Sequence, residues 1–164
     1  MDYRIGLGLD SHRIKEKREE KREKNLILGG VEVSKDYYAL ADSEGDVVIH
    51  SLCNALSTAI GGGSLDTWAG PMFRQGITDS KEFLKIVLEK VKRKGFKIKN
   101  VAIMVEAQRP KMEQYREKMQ QSLAKLLEIK KENIGIAFTT GQDLTEFGKG
   151  KGIQVFATVL LNKP

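Results

Sequence analysis

Residues 46–63 read DVVIHSLCNALSTAIGGG, and how this stretch folds decides the architecture. Val48, Leu52, Leu56 and Ala59 recur at helical spacing and make one apolar stripe. Asp46 is placed to accept the free amides of a first turn. Gly61, Gly62 and Gly63 end the run, because glycine tolerates the left-handed conformation that follows a helix. The pattern predicts a helix over residues 46–60. Strand patterns lie on both sides of it. Residues 3–9 (YRIGLGL) alternate, and residues 26–33 (LILGGVEV) predict a strand pair around Gly29 and Gly30. Residues 97–107 alternate through Ile98, Val101, Ile103 and Val105, and residues 134–140 and 153–161 predict two further strands. A second helix is expected over residues 80–94, with Phe83, Leu84, Val87, Leu88 and Val91 facing the core and Gly95 as its stop. A third starts with Pro110 in its first turn and runs to about residue 128, with Met112, Tyr115, Met119, Leu123 and Leu126 inward. Residues 36–45, 64–78 and 141–152 read as loops. Strands and helices therefore interleave without repeat or linker. This predicts an α/β (α+β layered) fold, a single domain over residues 1–164 with a mixed sheet covered by helices.

A chain of 164 residues suits one domain and buries a core without staples. The single cysteine excludes an intrachain disulfide and a Cys-rich zinc site. No signal-like apolar start and no membrane-length run is present, so a reducing cytoplasmic location is expected. The net charge is +6, and half of it lies in residues 13–25 (RIKEKREEKREKN), with seven basic and four acidic side chains. Ile14 is the only apolar residue there, so the segment reads as a solvated loop or a short mixed-charge helix. A nucleic-acid-binding role for it is the remote alternative. The four acids, the lack of aromatic residues and the lack of a known motif argue against that role.

Three residues suggest a metal. Asp10 and His12 stand at i and i+2, which in extended chain point the same way, and His50 lies on the predicted helix. One carboxylate and two imidazoles with an open position suit a catalytic zinc. Asp46, one turn before His50, is a candidate to orient that imidazole. Residues 108–111 precede a predicted helix with Arg109 and Lys111 beside it, which suits phosphate. Thr139, Thr140 and Gly141 offer hydroxyls and amides at a strand end, with Lys149 and Lys151 in the loop beyond. Each of these alone is as well explained as an ordinary loop, turn or helix residue. Cys53 is read as a small buried hydrophobe rather than a ligand. Trp68 either packs on a ligand or caps the core.

Together, RIGLGLDSH (4–12), LILGGVEV (26–33), LADSEGDVVIHSLCNAL (40–56), EAQRPKM (106–112), FTT (138–140) and GKGKGI (148–153) resemble, in order, the 2-C-methyl-D-erythritol 2,4-cyclodiphosphate synthases. The resemblance spans residues 4–161. It implies a homotrimer with active sites at subunit interfaces, and a zinc or another divalent transition metal on Asp10, His12 and His50. It also implies a lyase of isoprenoid biosynthesis. Its substrate is a cytidine diphosphate carrying methylerythritol 2-phosphate, which cyclises with loss of CMP, aided by Mg2+ or Mn2+ at the diphosphate. By the same resemblance Ala107, Arg109, Pro110, Lys111 and Met112 form the cytidine pocket, Thr139, Thr140 and Lys149 meet phosphate, and Asp42 and Ser43 meet substrate. No nucleic-acid or membrane partner is implied.

Four positions depart from the family pattern. Asp42 stands where a phosphate-facing histidine is usual. Ser64, Leu65, Asp66 and then Trp68, Ala69, Gly70, Pro71 replace a carboxylate-bearing stretch that is one residue longer. Gln142, followed by Asp143, replaces the magnesium-facing glutamate, and Lys151 replaces an acid. Two readings follow. One is a divergent but genuine synthase in which Asp66, Gln142 and Asp143 take over the displaced roles, with Thr140, Gln142 and Asp66 as its catalytic residues. The other is a diverged member that binds zinc and a cytidine nucleotide with altered substrate or lost cyclase activity.

Overall fold

The computed structural model describes residues 2–19 and 24–164. The chain runs β1 (Asp2–Glu16), β2 (Leu26–Leu28), β3 (Val31–Ser34), β4 (Tyr37–Ala39), α1 (Val47–Ala59), α2 (Asp66–Arg74), α3 (Ser80–Arg93), β5 (Lys97–Glu106), α4 (Arg116–Leu127), β6 (Ile134–Thr139) and β7 (Gly152–Lys163). Five strands form one sheet in the order β4-β1-β7-β5-β6, and β2-β3 form a separate hairpin. Among the described strands only β5 and β6 are parallel; the other pairs of the sheet are antiparallel, so the sheet is mixed as expected. Among the described residues no helix is long and apolar enough to cross a membrane.

The sheet has one covered face. On β7, Ile153, Val155, Ala157, Val159 and Leu161 all point inward and are buried, as do Val101, Ile103 and Val105 on β5. On β1 the inward positions are Gly6 and Gly8, followed by Asp10, His12 and Ile14. The two glycines are required by α1. A methyl group on Gly6 would stand 1.8 Å from the Ala55 carbonyl oxygen, and one on Gly8 1.9 Å from that of Ser51. The helix backbone thus rests directly on β1. The opposite face of the sheet is open and apolar. Ile5 is 73% exposed and Leu7 61%, with Tyr3, Leu9, Met104 and Phe156 also exposed. Phe156 pairs in register with Leu9 on one side and Met104 on the other, so these side chains form one band.

Four expectations need correction. Residues 13–16 are not loop. β1 continues through Glu16 because Ile14 keeps the inward alternation, is buried, and pairs with Ala39 of β4. The next residues, Lys17–Glu19, make a 3-10 turn, and the stretch 20–23 of the charged segment lies outside the described residues. Residues 36–45 are likewise not all loop, since β4 is that edge strand. Residues 64–78 contain α2 despite Gly70 and Pro71 inside it. Ala69 is fully buried, Trp68, Met72 and Phe73 pack on the core, and the Ala69 amide bonds the Leu65 carbonyl at 2.8 Å. Tertiary packing overrides the local breakers. Lastly, Pro110 is in no helix. The Arg109–Pro110 bond is cis, and α4 begins only at Arg116, after a 3-10 turn at Glu113–Tyr115.

Candidate metal centre

Gly6 and Gly8 bring α1 down onto β1, and that approach sets His50 of the first helical turn over Asp10 and His12. The Asp10 carboxylate oxygen Oδ2 lies 3.1 Å from His50 Nδ1 and 3.3 Å from His12 Nε2, and the two imidazole nitrogens are 3.1 Å apart. Ligands about 2.0–2.1 Å from a tetrahedral ion stand about 3.3–3.4 Å from one another. The three donors therefore converge as a metal site requires, and they are the one such group among the described residues. Their chemistry fits as well. Burial is the main cause holding the His12 pKa below its ordinary value, against the opposing pull of Asp10 and with the help of His50, so the ring is neutral at neutral pH. Metal coordination needs that form. Two histidines and a carboxylate with an open side accept several divalent transition metals.

The open side faces a cavity of about 480 Å³. Asp42, Ser43 and Asp66 line it together with the triad, and so do Asn54 and Phe73, which were not singled out from the sequence. Among the described residues no lysine or arginine lines it, whereas three carboxylates do.

The surroundings of His50 correct one expectation. Asp46 does not reach the imidazole. Its carboxylate accepts from the amides of Ile49 (3.0 Å), Gly29 (2.9 Å) and Gly30 (2.7 Å), capping α1 and fastening the β2-β3 turn to it. Both glycines of that turn have positive φ, as a two-residue hairpin demands. Burial pushes the Asp46 carboxyl pKa up, and the three amides oppose it. The ring nitrogen Nε2 of His50 meets Ser80 Oγ at 2.9 Å and Ser43 Oγ at 3.3 Å instead. From sequence, Ser80 reads only as the start of α3.

The model of the YgbB family matches residues 3–162. The chain belongs to the YgbB family. Among its relatives, the 2-C-methyl-D-erythritol 2,4-cyclodiphosphate synthase of Aquifex aeolicus is 37% identical, with 99% of each chain covered. That of Francisella philomiragia is 36% identical, over 99% of this chain and 100% of the relative. The solved CDP complex of IspF from Plasmodium falciparum superposes with a TM-score of 0.84 at 31% identity, over 98% of this chain and 96% of the other.

In this YgbB chain the other residues expected at a site, residues 107–112, 139, 140, 142 and 149, gather elsewhere, at the ends of β5 and β6. The Ala107 amide bonds the Thr139 carbonyl at 3.0 Å, that of Gln108 the Phe147 carbonyl at 3.2 Å, and Arg109 Nε meets the Gly150 carbonyl at 3.4 Å. Ala107 and Met112 are buried, while Arg109, Lys111, Thr139, Thr140, Gln142 and Lys149 are exposed. The helix start expected beside residues 108–111 is absent, so that stretch has no helix dipole to offer a phosphate. Thr139 Oγ1 accepts from the Gly141 amide and Thr140 Oγ1 from that of Gln142. Gln142 (φ 45°) and Asp143 (φ 59°) both sit in the left-handed region, directly after Gly141 (φ 68°), which adopts it without strain. Lys149 and Lys151 pair with Glu146, whose carboxyl is held below its usual range by the two ammonium groups. None of these residues lines the cavity at the triad.

Cys53 is fully buried, its thiol pushed up by burial, and it is no part of the triad. Trp68 packs on the core, with the Lys90 ammonium 5.0 Å from its ring centroid.

Proposed function

We propose that this protein is a 2-C-methyl-D-erythritol 2,4-cyclodiphosphate synthase acting in the cytoplasm. It would convert 4-diphosphocytidyl-2-C-methyl-D-erythritol 2-phosphate to the cyclodiphosphate and CMP. The observation that carries this reading is the Asp10–His12–His50 triad, complete and opening into a cavity. In the reaction an oxygen of the 2-phosphate attacks the β-phosphorus. The bond from the β-phosphorus to the bridging oxygen breaks, and CMP leaves with that oxygen. No protein nucleophile is needed, so the work is positioning and charge neutralisation. A zinc or similar divalent ion on the triad, with Mg2+ or Mn2+ at the diphosphate, would supply Lewis acidity.

The chain's own residues do the rest. Asp66 and Asn54 border the cavity and suit the hydroxyls of the methylerythritol. Thr139, Thr140 and Lys149 suit phosphate, Gln142 offers a carbonyl where a cation would bridge, and the 107–112 segment suits the cytosine. Ser43 lines the cavity, while its hydroxyl accepts from the Gly45 amide at 3.0 Å. The two groups of residues do not share a cavity within one chain, and the open sheet face carries an exposed apolar band. A patch of that kind marks an interaction surface. Both features support a homotrimer in which each site is completed by the neighbouring copy, with no nucleic acid or membrane partner.

A second reading has an observation of its own. Among the described residues Asp10, Asp42 and Asp66 face the cavity and no lysine or arginine lines it, which disfavours a phosphate there unless cations accompany it. This supports a diverged member with altered substrate. One experiment separates the two. Purified protein is incubated with the diphosphocytidyl substrate, zinc and magnesium, and CMP and cyclodiphosphate are quantified. Cyclodiphosphate well above the His50→Ala level is expected. CMP release no greater than that of His50→Ala would overturn the synthase reading.

A further inference from the structure

The far side of the His50 ring is as well built as the metal side. Nδ1 points to Asp10 and His12, while Nε2 is enclosed and 2.9 Å from Ser80 Oγ. Ser80 has no exposed surface. It opens α3, where Asp79 caps the Lys81 amide at 2.9 Å, and its own amide donates to Glu44 Oε1 at 3.1 Å. The Glu44 amide in turn bonds the Thr78 carbonyl at 3.0 Å. Glu44 belongs to the loop before α1 and Ser80 to the start of α3, so this clamp ties together the two elements that enclose His50. Ser43 Oγ, at 3.3 Å, is the weaker partner, because it already accepts from the Gly45 amide. The Phe83 ring packs 6.1 Å from the His50 ring and closes the apolar side.

We infer that Ser80 is a positioning residue for the metal centre, that it fixes the His50 ring by accepting from Nε2–H, and that Glu44 holds Ser80 in place. The chemistry is specific. A histidine that binds a metal through Nδ1 must carry its proton on Nε2, and a buried N–H needs an acceptor. Ser80 supplies that acceptor at ordinary hydrogen-bond length. Losing such an outer partner weakens metal binding about 10–100-fold.

This rests on the metal reading above, and the test keeps the two apart. Co2+ is titrated into metal-free full-length protein against a competing chelator and followed by its visible absorption, and melting is measured separately in EDTA. Wild type that takes up no Co2+ would sink the metal reading itself. With wild type binding, Ser80→Ala is expected to lose tenfold or more in Co2+ affinity, and Ser80→Thr, which keeps the hydroxyl, to recover most of it. Ser57→Ala is the control. It removes another buried serine, one that bonds the Gly63 carbonyl away from the triad, and should keep wild-type affinity. A loss of less than threefold in Ser80→Ala overturns the inference, as does an equal loss in Ser57→Ala. Should Ser80→Ala fail to fold, the half-buried Glu44 decides. Glu44→Ala should lose threefold or more while Glu44→Gln does not, and any smaller loss in Glu44→Ala overturns it.

Discussion

His12 and Asp42 carry the sharpest consequences of single side chains. Burial lowers the His12 pKa below 6.5, so near that pH the unfolded chain binds more protons at this position than the folded one. Stability then rises with pH wherever this difference exists. The metal-free protein should accordingly lose stability as pH falls through about 6.5 towards the depressed value, a slope that His12→Gln should flatten in urea melts between pH 5 and 7. Metal affinity should fall over the same range, since the ligand must be neutral. Asp42 is a different case. It adds a carboxylate to a cavity that already holds Asp10 and Asp66 and that no lysine or arginine lines among the described residues. Replacing one negative charge near a bound phosphate is worth on the order of 1–4 kcal/mol. Asp42→His should therefore lower the KM for the phosphorylated substrate about tenfold or more in steady-state assays. An unchanged KM would place the phosphates away from Asp42.

Among the elements, α1 and its seat on β1 matter most. The helix sits where it does because Gly6 and Gly8 leave room for its backbone. Gly8→Ala should cost about 3 kcal/mol or more and, by lifting α1, should weaken Co2+ binding beyond what the stability loss explains. Asp46 holds the start of the same helix. Asp46→Ala removes a cap and leaves two buried amides and one half-buried amide without their acceptor, which should destabilise by about 2–4 kcal/mol in chemical denaturation. Its effect on metal affinity should be smaller than that of Ser80→Ala, because the carboxylate does not touch the ring. α2 shows the limit of local rules. Gly70 and Pro71 read as breakers, yet Ala69, Trp68, Met72 and Phe73 hold one helical turn after another against the core. The reverse holds at Pro110. It suits a helix start by propensity, but the Ala107 and Gln108 amides are tied to residues 139 and 147, and the helix begins only at Arg116.

For the whole molecule, the question is what covers the open sheet face and completes the site. Leu7→Glu with Leu9→Glu would place charges in the exposed apolar band of β1; if the proposed trimer closes over that band, sedimentation should shift from trimer to monomer with loss of turnover, and an unchanged sedimentation coefficient would remove the band from the interface. The separation of the two residue groups allows a stricter check. Subunits carrying His50→Ala and subunits carrying Thr139→Ala with Lys111→Ala should each be nearly inactive alone. Mixed and reassembled, they should regain about a quarter of the wild-type activity or less, but clearly more than either parent, if a site draws on two copies. No gain on mixing would mean that each chain builds its site alone.

The sequence by itself determined the α1 helix, the hairpin at Gly29 and Gly30, most strands, and the donor set Asp10, His12 and His50. It also determined the family, since its blocks occur in order over nearly the whole chain. These are local matters: spacing, capping, turn residues and the chemistry of side chains near one another in an extended strand. Only the tertiary structure decided that glycines, not the large apolar residues, form the inner face of β1, and that Ile14 carries this strand into the charged segment. It alone showed α2 surviving its proline, Asp46 serving the backbone rather than His50, and Ser80 meeting the imidazole. The physical reason is the same each time. A period of two says which residues share a face, but not which face another element will cover. Partners thirty residues apart meet only through the packing of helices on a sheet.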